Sequence, residues 1–256
     1  MSDAPTAPII EVEDLSVGYG GKPLLAHVSF QVRRGEIFVI LGGSGSGKST
    51  LLKHMIGLYT PISGRVLIEG EDIVAAEGDE RRAILRKFGV MYQQGALFGS
   101  MTLLENVRLP LEEYTELSDE AIDLIARTKL DLVQLSGFET RMPAELSGGM
   151  RKRAAIARAM ALDPDILFLD EPSAGLDPIT SAEVDALVLR LSRSLGMTFV
   201  VVTHELPSIF AIADRVIMLD KRAKGIIAEG DPRKLRSEST DPWVRRFFNR
   251  LPAEAD

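Results

Sequence analysis

The chain has 256 residues, of which 45% are hydrophobic and 26% charged, a composition typical of a globular protein with one main domain. It contains no cysteine, which excludes disulfides, cysteine-ligated zinc and thiol catalysis and agrees with a reducing compartment. Its formal net charge of −7 argues against direct binding to nucleic acid, and no apolar stretch approaches the roughly 20 residues that cross a bilayer.

The N-terminal part of the chain predicts a small antiparallel sheet. Residues 1–8 are polar and rich in proline and alanine, so we expect a flexible N-terminus without a secretory signal. Residues 9–12, 24–32 and 65–68 have the composition of strands, and glycines within residues 18–21 mark a turn. These strands predict an antiparallel β-subdomain.

A phosphate-binding loop follows the apolar residues 37–41, which predict a buried strand. The loop matches G-x-x-x-x-G-K-[ST] at every fixed position, and the helical spacing of residues 50–56 supplies the strand–loop–helix context that this motif requires. A flexible Gly/Ser-rich loop is the alternative, which this spacing and context disfavour. The loop consists of Gly42, Gly43, Ser44, Gly45, Ser46, Gly47, Lys48 and Ser49.

The residue types of this loop predict its chemistry. Glycines allow successive backbone N–H groups to turn toward phosphate oxygens, and the helix N-terminus adds partial positive charge. Lys48 supplies a full charge to the β- and γ-phosphates, the Ser49 hydroxyl is a ligand for Mg²⁺, and Thr50 can reach the α-phosphate. The loop therefore predicts a nucleoside triphosphate bound with Mg²⁺.

Strand signals vanish between residues 96 and 161, which predicts a helical insertion. Within it, a helix predicted over residues 118–129 begins with a serine cap and acidic residues in its first turn. Ser147, Gly148 and Gly149 precede a strongly helical segment, so we expect Ser147 at a helix N-terminus, where it makes a second anion site. The basic residues of that segment are expected to form a solvated helix face rather than a nucleic-acid patch.

A second buried strand ends in two carboxylates, Asp170 and Glu171, followed by Pro172. Ligand-binding groups in open α/β sheets gather at the C-terminal ends of strands. In a P-loop enzyme the first acid holds Mg²⁺, and Glu171 is then free to orient the attacking water as a general base. An ordinary turn before proline is the alternative, which the upstream phosphate loop disfavours.

The later apolar strands pass through Leu169, Val202 and Met218 and alternate with helical segments, which predicts a parallel core. The three motifs, in this order, resemble the nucleotide-binding subunit of ATP-binding cassette (ABC) transporters. The resemblance implies an α/β fold, a P-loop NTPase with a RecA-like parallel core, an antiparallel β-subdomain and an inserted α-helical signature subdomain at about residues 96–161. It also implies an ABC ATPase domain over residues 9–230 that hydrolyses ATP with Mg²⁺.

Four smaller positions match the same family. Tyr19 fits the aromatic residue that stacks on adenine, Gln93 the glutamine that contacts Mg²⁺ and senses the membrane partner, and His204 the histidine that contacts the γ-phosphate. Asp177 closes the loop of residues 173–177, which crosses between subunits in this family. Each position would be a weak signal alone, because single residues of these types are more often structural or solvated. Their order and spacing support the resemblance.

The resemblance also implies how many chains act together. In this family the serine-capped helix completes the ATP pocket of the opposite subunit, which assigns Ser147, Gly148 and Gly149 to the nucleotide of a partner chain. We therefore expect a homodimer in which two copies hold two MgATP head to tail. A single chain is expected to hydrolyse ATP poorly.

Several shorter segments resemble a narrower group, the Mla-type ATPases of phospholipid trafficking, which maintain outer-membrane lipid asymmetry. They are residues 93–98, 101–107 and 109–111, Met150 and the tail at 241–248. Gln94 departs from the small residue expected at its position. The resemblance implies that residues 231–256 form a C-terminal extension that contacts the neighbouring ATPase. The alternatives are that residues 96–98 simply pack the helical insertion and that the tail caps its own domain.

The narrower resemblance implies a peripheral subunit at the cytoplasmic face of the inner membrane. Its expected partners are an integral membrane permease, a periplasmic lipid-binding subunit of the MCE type and a small cytoplasmic regulatory subunit. A short helix of the permease would dock on an apolar wall at residues 96–98, in the helix-in-groove mode. The implied function is ATP hydrolysis that energises phospholipid transport between the inner membrane and a periplasmic carrier.

Other functions are open at this point. The ATPase of an importer for amino acids or another small solute is the runner-up. Cassette ATPases of DNA repair carry long coiled-coil insertions and those of translation carry two cassettes in one chain, and neither feature is present. A nucleotide-sensing module without turnover is expected to lack Glu171 or His204, and both are present.

Overall fold

The fold consists of two β-sheets, helices on both faces of the larger sheet and a helical insertion. The computed structural model describes residues 7–251. Residues 1–6 of the predicted flexible N-terminus and residues 252–256 of the predicted C-terminal extension lie outside the described residues. The strands are β1 (Ile10–Tyr19), β2 (Lys22–Val32), β3 (Ile37–Gly42), β4 (Ser63–Ile68), β5 (Glu71–Asp72), β6 (Phe88–Met91), β7 (Ile166–Asp170), β8 (Thr198–Val202), β9 (Arg215–Asp220) and β10 (Gly225–Gly230). The α-helices are α1 (Lys48–Met55), α2 (Gly78–Leu85), α3 (Leu103–Tyr114), α4 (Asp119–Leu132), α5 (Gly148–Ala159), α6 (Pro178–Leu195), α7 (Leu206–Ile212), α8 (Pro232–Glu238) and α9 (Pro242–Asn249).

The larger sheet positions the site. Its strand order is β10-β9-β3-β8-β7-β6, with β10 antiparallel to β9 and the other neighbours parallel. Every residue of β3 is buried, as expected for a central parallel strand that is covered on both faces. Because strand side chains alternate, Ile37, Val39 and Leu41 enter one hydrophobic core and Phe38 and Ile40 enter the other. The C-terminal ends of β3, β8 and β7 therefore lie along one edge.

The smaller sheet is antiparallel, in the order β2-β1-β4-β5. Its inward side chains, such as Ile10 and Val12 of β1, share a core with Phe38 of the larger sheet. The register of β1 with β2 shifts between Val12 and Leu15, where Asp14 has a φ of +48°, so a bulge bends the strand. This sheet is the predicted antiparallel β-subdomain.

The helical insertion is confirmed. Residues 96–161 are all described and contain α3, α4 and α5 without a strand. Thr102 caps α3 in a reciprocal pair with Glu105, and the predicted serine cap of α4 is Ser118, whose hydroxyl accepts from the Ala121 N–H. The structure thus has the parallel P-loop core, the β-subdomain and the inserted helices that the sequence predicts.

The C-terminal helices continue on the same body. The last strand, β10, ends at Gly230, where the predicted ATPase domain ends. Val244 and Phe248 of α9 are buried in the core that also contains Val39 of β3. Helix α9 of the tail therefore packs on its own domain, which was the alternative to a contact with the neighbouring ATPase. The boundary at residue 230 and the contact of the tail with a neighbouring ATPase stay predictions.

Candidate functional site

The phosphate loop joins the end of β3 to the start of α1, as its motif predicts. At Gly42, with a φ of +152°, a Cβ would lie 2.5 Å from the Leu219 carbonyl oxygen and 2.6 Å from the Ser46 hydroxyl, so only glycine fits. Gly47 has a φ of +98°, a left-handed conformation that glycine adopts without strain. These glycines let the chain turn sharply into the helix, whose first N–H groups have no partner within the helix.

Lys48 is the first residue of α1, and its ammonium lies against the loop. Lys48 Nζ donates to the carbonyl oxygens of Gly42 at 3.0 Å and Gly43 at 3.2 Å. Burial lowers the pKa of Lys48, while two nearby carboxylates act in the opposite direction. The Ser46 hydroxyl is buried and has no hydrogen-bonding partner among the described residues. A cation, an unpartnered hydroxyl and a helix N-terminus on one loop fit a bound phosphate chain.

Ser49 and Asp170, two of the three residues predicted to hold Mg²⁺, are in contact. Ser49 Oγ donates to Asp170 Oδ1 at 3.1 Å, which joins α1 to the end of β7. Burial raises the pKa of Asp170, and the hydrogen bond from Ser49 opposes this effect. Among residues 7–251, no cluster of three or more His, Cys, Asp or Glu could hold a metal ion. The pair fits Mg²⁺, which proteins usually bind through one or two carboxylates together with phosphate oxygens and water.

Glu171 and His204 meet beside the phosphate loop. His204 Nδ1 lies 2.8 Å from Glu171 Oε1, whereas Glu171 Oε2 is buried without a hydrogen-bonding partner among the described residues. Glu171 has a φ of +50°, in the left-handed region that residues with side chains rarely adopt, and its N–H donates to the Val202 carbonyl at 2.8 Å. A strained and oriented carboxylate with one unused oxygen can serve as a general base.

One cavity of about 350 Å³ brings these groups together. It is lined by Gly42, Gly43, Ser44, Gly45, Lys48, Glu171, His204 and Phe247. The cation, the carboxylate and the histidine come from three separate segments of the chain. The arrangement can bind a phosphate chain and place a carboxylate against a water molecule next to it.

Tyr19 and Gln93 lie at other positions around the phosphate loop. Tyr19 is exposed at the end of β1, and its hydroxyl oxygen lies 3.3 Å from Thr50 Oγ1 in α1. Its ring meets the ring of Tyr59 edge-on, with centroids 6.1 Å apart. Gln93 is exposed in the loop that follows β6. The contacts of Tyr19 and Thr50 with the nucleotide and of Gln93 with Mg²⁺ stay predictions.

The family described as "ABC transporter" matches residues 25–174, more than half of the chain. The chain belongs to the ABC transporter family. As an ABC ATPase it binds and hydrolyses ATP. Each helix within residues 7–251 is too short or too polar to span a lipid bilayer.

Three relatives show how much of the chain this ABC similarity covers. The probable ribonucleotide transport ATP-binding protein mkl of Mycobacterium leprae is 41% identical over 96% of this chain and 70% of its own length. The intermembrane phospholipid transport system ATP-binding protein MlaF of Escherichia coli K12 is 39% identical over 95% of this chain and 89% of its own. MlaF of Haemophilus influenzae is 40% identical over 97% and 92%.

Solved ABC structures have the same fold. The dimeric ATP-binding cassette MJ0796, in a post-hydrolysis state bound to ADP and Pi, has a TM-score of 0.78 and 33% identity over 87% of this chain and 98% of that one. The protein cbiO1 of Clostridium perfringens, part of the transporter complex cbiONQ, has a TM-score of 0.82 and 28% identity over 96% of both chains.

The ABC signature residues do not line the cavity around Lys48. Ser147 is exposed and caps α5, where its hydroxyl accepts from the Met150 N–H at 3.2 Å. A Cβ on Gly149 would lie 2.3 Å from Thr180 Cγ2, so glycine is needed where α5 meets α6. The predicted helix N-terminus is therefore present, and its capping residue, Ser147, lies at the surface. The contact of Ser147, Gly148 and Gly149 with a partner's nucleotide stays a prediction.

Asp177 has a local structural use. Its carboxylate caps α6 and accepts from the N–H groups of Ile179 at 3.0 Å and Thr180 at 3.1 Å and from the Thr180 hydroxyl at 2.5 Å. The hydrogen bonds from Thr180 lower the pKa of Asp177. These contacts within its own chain are sufficient to fix the position of the Asp177 side chain. Its role at a nucleotide site stays a prediction.

Three residues at this site were not predicted from the sequence. Phe247 of α9 lines the cavity, and Trp243 Cζ2 would lie only 3.7 Å from a Cβ placed on Gly43, so the tail covers part of the phosphate loop. Lys152 of α5 reaches the carbonyl oxygens of Gln93 and Glu171. The position of Lys152 next to the signature motif was the available signal. No local pattern marked Phe247.

Proposed function

We propose that two copies of this ABC ATPase hold two MgATP head to tail and energise phospholipid transport between the inner membrane and a periplasmic carrier. The observation that carries the catalytic part is the meeting of Lys48, Glu171 and His204 around one cavity, next to the pair of Ser49 and Asp170. Lys48 and the loop N–H groups neutralise phosphate charge as it develops. Ordered donors of this kind usually make the largest single contribution to such reactions.

Hydrogen bonds of the site support part of the remaining catalytic assignment. Glu171 orients the attacking water and accepts its proton through Oε2, which has no hydrogen-bonding partner among residues 7–251. His204 holds the other oxygen and contacts the γ-phosphate with its exposed ring. Ser49, Asp170 and Gln93 would hold Mg²⁺, which would supply further neutralisation of phosphate charge. Tyr19 stacks on the adenine, and Thr50 contacts the α-phosphate.

The second chain completes the site. Ser147, Gly148 and Gly149 form the N-terminus of α5, which favours an anion, and Ser147 is exposed there. The cavity at the phosphate loop of the same chain is lined by other residues. A head-to-tail partner would bring this N-terminus to the γ-phosphate and Asp177 to the subunit boundary. The dimeric form of the cassette MJ0796 supports this arrangement.

A groove between β6 and the helical insertion supports a permease partner. We call this the docking groove; its volume is about 190 Å³, and it is lined by Leu85, Arg86, Phe88, Gly89, Val90, Pro110, Tyr114, Arg158, Ala159 and Leu162. Arg158 donates to the carbonyl oxygens of Gly95 and Ala96 and lies over the exposed ring of Phe98. Leu97 packs inward, so Ala96 and Phe98 are the parts of the predicted wall that face a partner. A short permease helix fits such a groove.

The transported substrate is set by the permease, because the site of this chain handles only the nucleotide. Phospholipid is proposed because relatives that match along about nine tenths of their own length are named for phospholipid transport. The proposal also includes two further subunits, a periplasmic lipid-binding subunit of the MCE type and a small cytoplasmic regulatory subunit. It places this chain at the cytoplasmic face of the inner membrane. A ribonucleotide, as in the name of mkl, or an amino acid is the competing cargo. The ligand that co-purifies with the permease decides among them.

Replacement of Glu171 tests the catalytic assignment. We expect Glu171→Gln to bind ATP as the wild type does and to release phosphate at least ~100-fold more slowly, the size of a lost general base. Phosphate release and nucleotide binding are measured on the purified permease complex. Glu80→Gln, at an exposed position of α2, is the matched control and should keep wild-type turnover. Near-normal turnover of Glu171→Gln would remove this residue from the role of base.

A further inference from the structure

A single lysine joins the helical insertion to the catalytic segment. Lys152 lies on α5, one turn after the Ser147 cap, and is 7% exposed. Its Nζ donates to the carbonyl oxygen of Glu171 at 3.0 Å and also to the carbonyl oxygen of Gln93. One buried ammonium thus connects α5, the segment after β7 and the loop after β6.

The contact with Glu171 matters because this residue is strained. Its left-handed backbone, with a φ of +50°, persists only where the surroundings hold it. Val202 holds the Glu171 N–H, His204 holds one side-chain oxygen, and Lys152 holds the carbonyl. Val202 and His204 belong to the core, at or just after β8. Lys152 is the member of this set that the helical insertion contributes.

The chemistry of Lys152 differs from that of a lysine that only stabilises the fold. Lys152 Nζ donates to two backbone carbonyl groups, those of Glu171 and Gln93. Burial lowers the pKa of Lys152, and the nearby carboxylates of Glu171 and Asp170 oppose this effect. Lys129 of α4 is equally buried, at 6% exposure, but forms a salt bridge with Asp163. The two lysines are therefore buried to a similar extent in the same subdomain, but Lys129 pairs with a carboxylate and Lys152 with two backbone carbonyl groups.

The same helix reaches the docking groove. Arg158 lies six residues after Lys152 on α5 and donates to the carbonyl oxygens of Gly95 and Ala96, while Lys152 donates to that of Gln93 at the start of the same loop. A helix without Gly or Pro between these positions moves as a rigid unit. A displacement of the groove wall would therefore displace Lys152 and the two carbonyl groups it holds.

We propose that Lys152 is a positioning residue, which fixes the strained Glu171 and the Gln93 loop relative to α5 so that movement of the helical insertion sets the catalytic orientation of Glu171. The proposal rests on the proposed role of Glu171 as general base. It assigns to Lys152 no contact with ATP. The consequence is a residue that controls turnover and not nucleotide affinity.

The test compares Lys152→Met, Lys152→Arg and Lys129→Met in the purified permease complex. We expect Lys152→Met to lower kcat by about 10–100-fold, the loss typical of a misplaced catalytic group, with the KM and the dissociation constant for ATP changed less than about threefold. Lys152→Arg restores the cation and its N–H donors and should recover most of the kcat. Lys129→Met removes a buried lysine from the same subdomain, so it should lower the melting temperature and leave kcat unchanged.

The outcomes separate this proposal from the function on which it rests. Wild-type kcat in Lys152→Met, or an equal loss of kcat and ATP affinity in both Lys152 variants, would overturn it. Glu171→Gln is assayed in parallel: if that variant is slow while Lys152→Met is normal, only the positioning role fails, whereas a fast Glu171→Gln removes the base itself. If Lys152→Met does not fold, Lys152→Gln keeps an N–H donor without the charge, and the same split between kcat and KM decides.

Discussion

Buried carboxylates at and near the site differ in what holds them. Asp170 accepts from Ser49, and Glu171 contacts His204, so both have partners within the proposed nucleotide site. Asp185 of α6 is equally buried, receives a hydrogen bond from Ser208, and leaves Oδ1 without a partner among the described residues. Burial raises the pKa of Asp185 because its ionised form is poorly solvated there, and no catalytic step uses it.

The buried carboxylate of Asp185 is expected to lower the stability of the fold at neutral pH. A carboxyl group with a pKa raised by folding favours the folded state below its ordinary value of 3.8, and this advantage is lost as the pH rises through the raised pKa. Asp185→Asn removes the buried charge at pH 7, so we expect a higher melting temperature, about 2–4 °C for each ~1 kcal/mol gained. The gain, measured by thermal unfolding, should shrink as the pH falls toward 4. A lower melting temperature at pH 7 would show that the ionised carboxylate stabilises the fold.

At the scale of elements, capped helix N-termini were readable from the sequence. Ser118 and Ser147 each precede a helical pattern, and each accepts a hydrogen bond from the residue three positions later. The phosphate loop was readable for the same reason, since its glycines, lysine and serine act within one turn of chain. These signals are local, so the physics that produces them is contained in a few neighbouring residues.

Contacts between distant segments were not readable. Val244 and Phe248 mark α9 as amphipathic, but nothing near them in sequence says that Phe247 lines the cavity beside Lys48. The left-handed backbone of Glu171 was also hidden, because a glutamate gives no local sign of it and the surrounding core imposes it. Helices and strands could be predicted from local sequence patterns. The contacts of Phe247 and the backbone conformation of Glu171 could not, because they depend on segments that meet only in the folded core.

The two serine caps provide a matched test of the shared site. Ser147→Phe and Ser118→Phe each remove a cap at an exposed position of the helical insertion, so each should cost a similar ~0.5–2 kcal/mol of stability. We expect only Ser147→Phe, present in both copies, to slow ATP turnover, by at least ~100-fold, because it blocks donors at the partner's γ-phosphate. Turnover and thermal unfolding are measured on the purified complex. Full turnover in Ser147→Phe would contradict a nucleotide shared between two chains.

For the whole molecule, the larger sheet separates two cores with different surroundings. One core unites the sheet with α1 and the antiparallel sheet beside Tyr19. The opposite core unites it with α5, α6 and α9 and extends into the helical insertion. Because Lys152 and Arg158 lie on α5, the helical side of the molecule links the backbone of Glu171, the proposed base, to the docking groove.

The proposed link between Glu171 and the permease requires the permease to bind at the docking groove. Phe98, 49% exposed beside the docking groove, is the aromatic residue that a permease helix would cover. Phe98→Glu should weaken permease binding by about 10-fold or more, the loss of one aromatic anchor, and leave ATP binding to the chain unchanged. Leu124→Glu is the control, since Leu124 is 68% exposed on α4 of the same insertion. Neither Phe98 nor Leu124 lines the groove itself, but the Phe98 ring lies under Arg158, which does. Permease retained on the immobilised chain is measured for both variants. Equal retention would mean that the permease binds elsewhere, and α5 would then connect Glu171 to a surface without a partner.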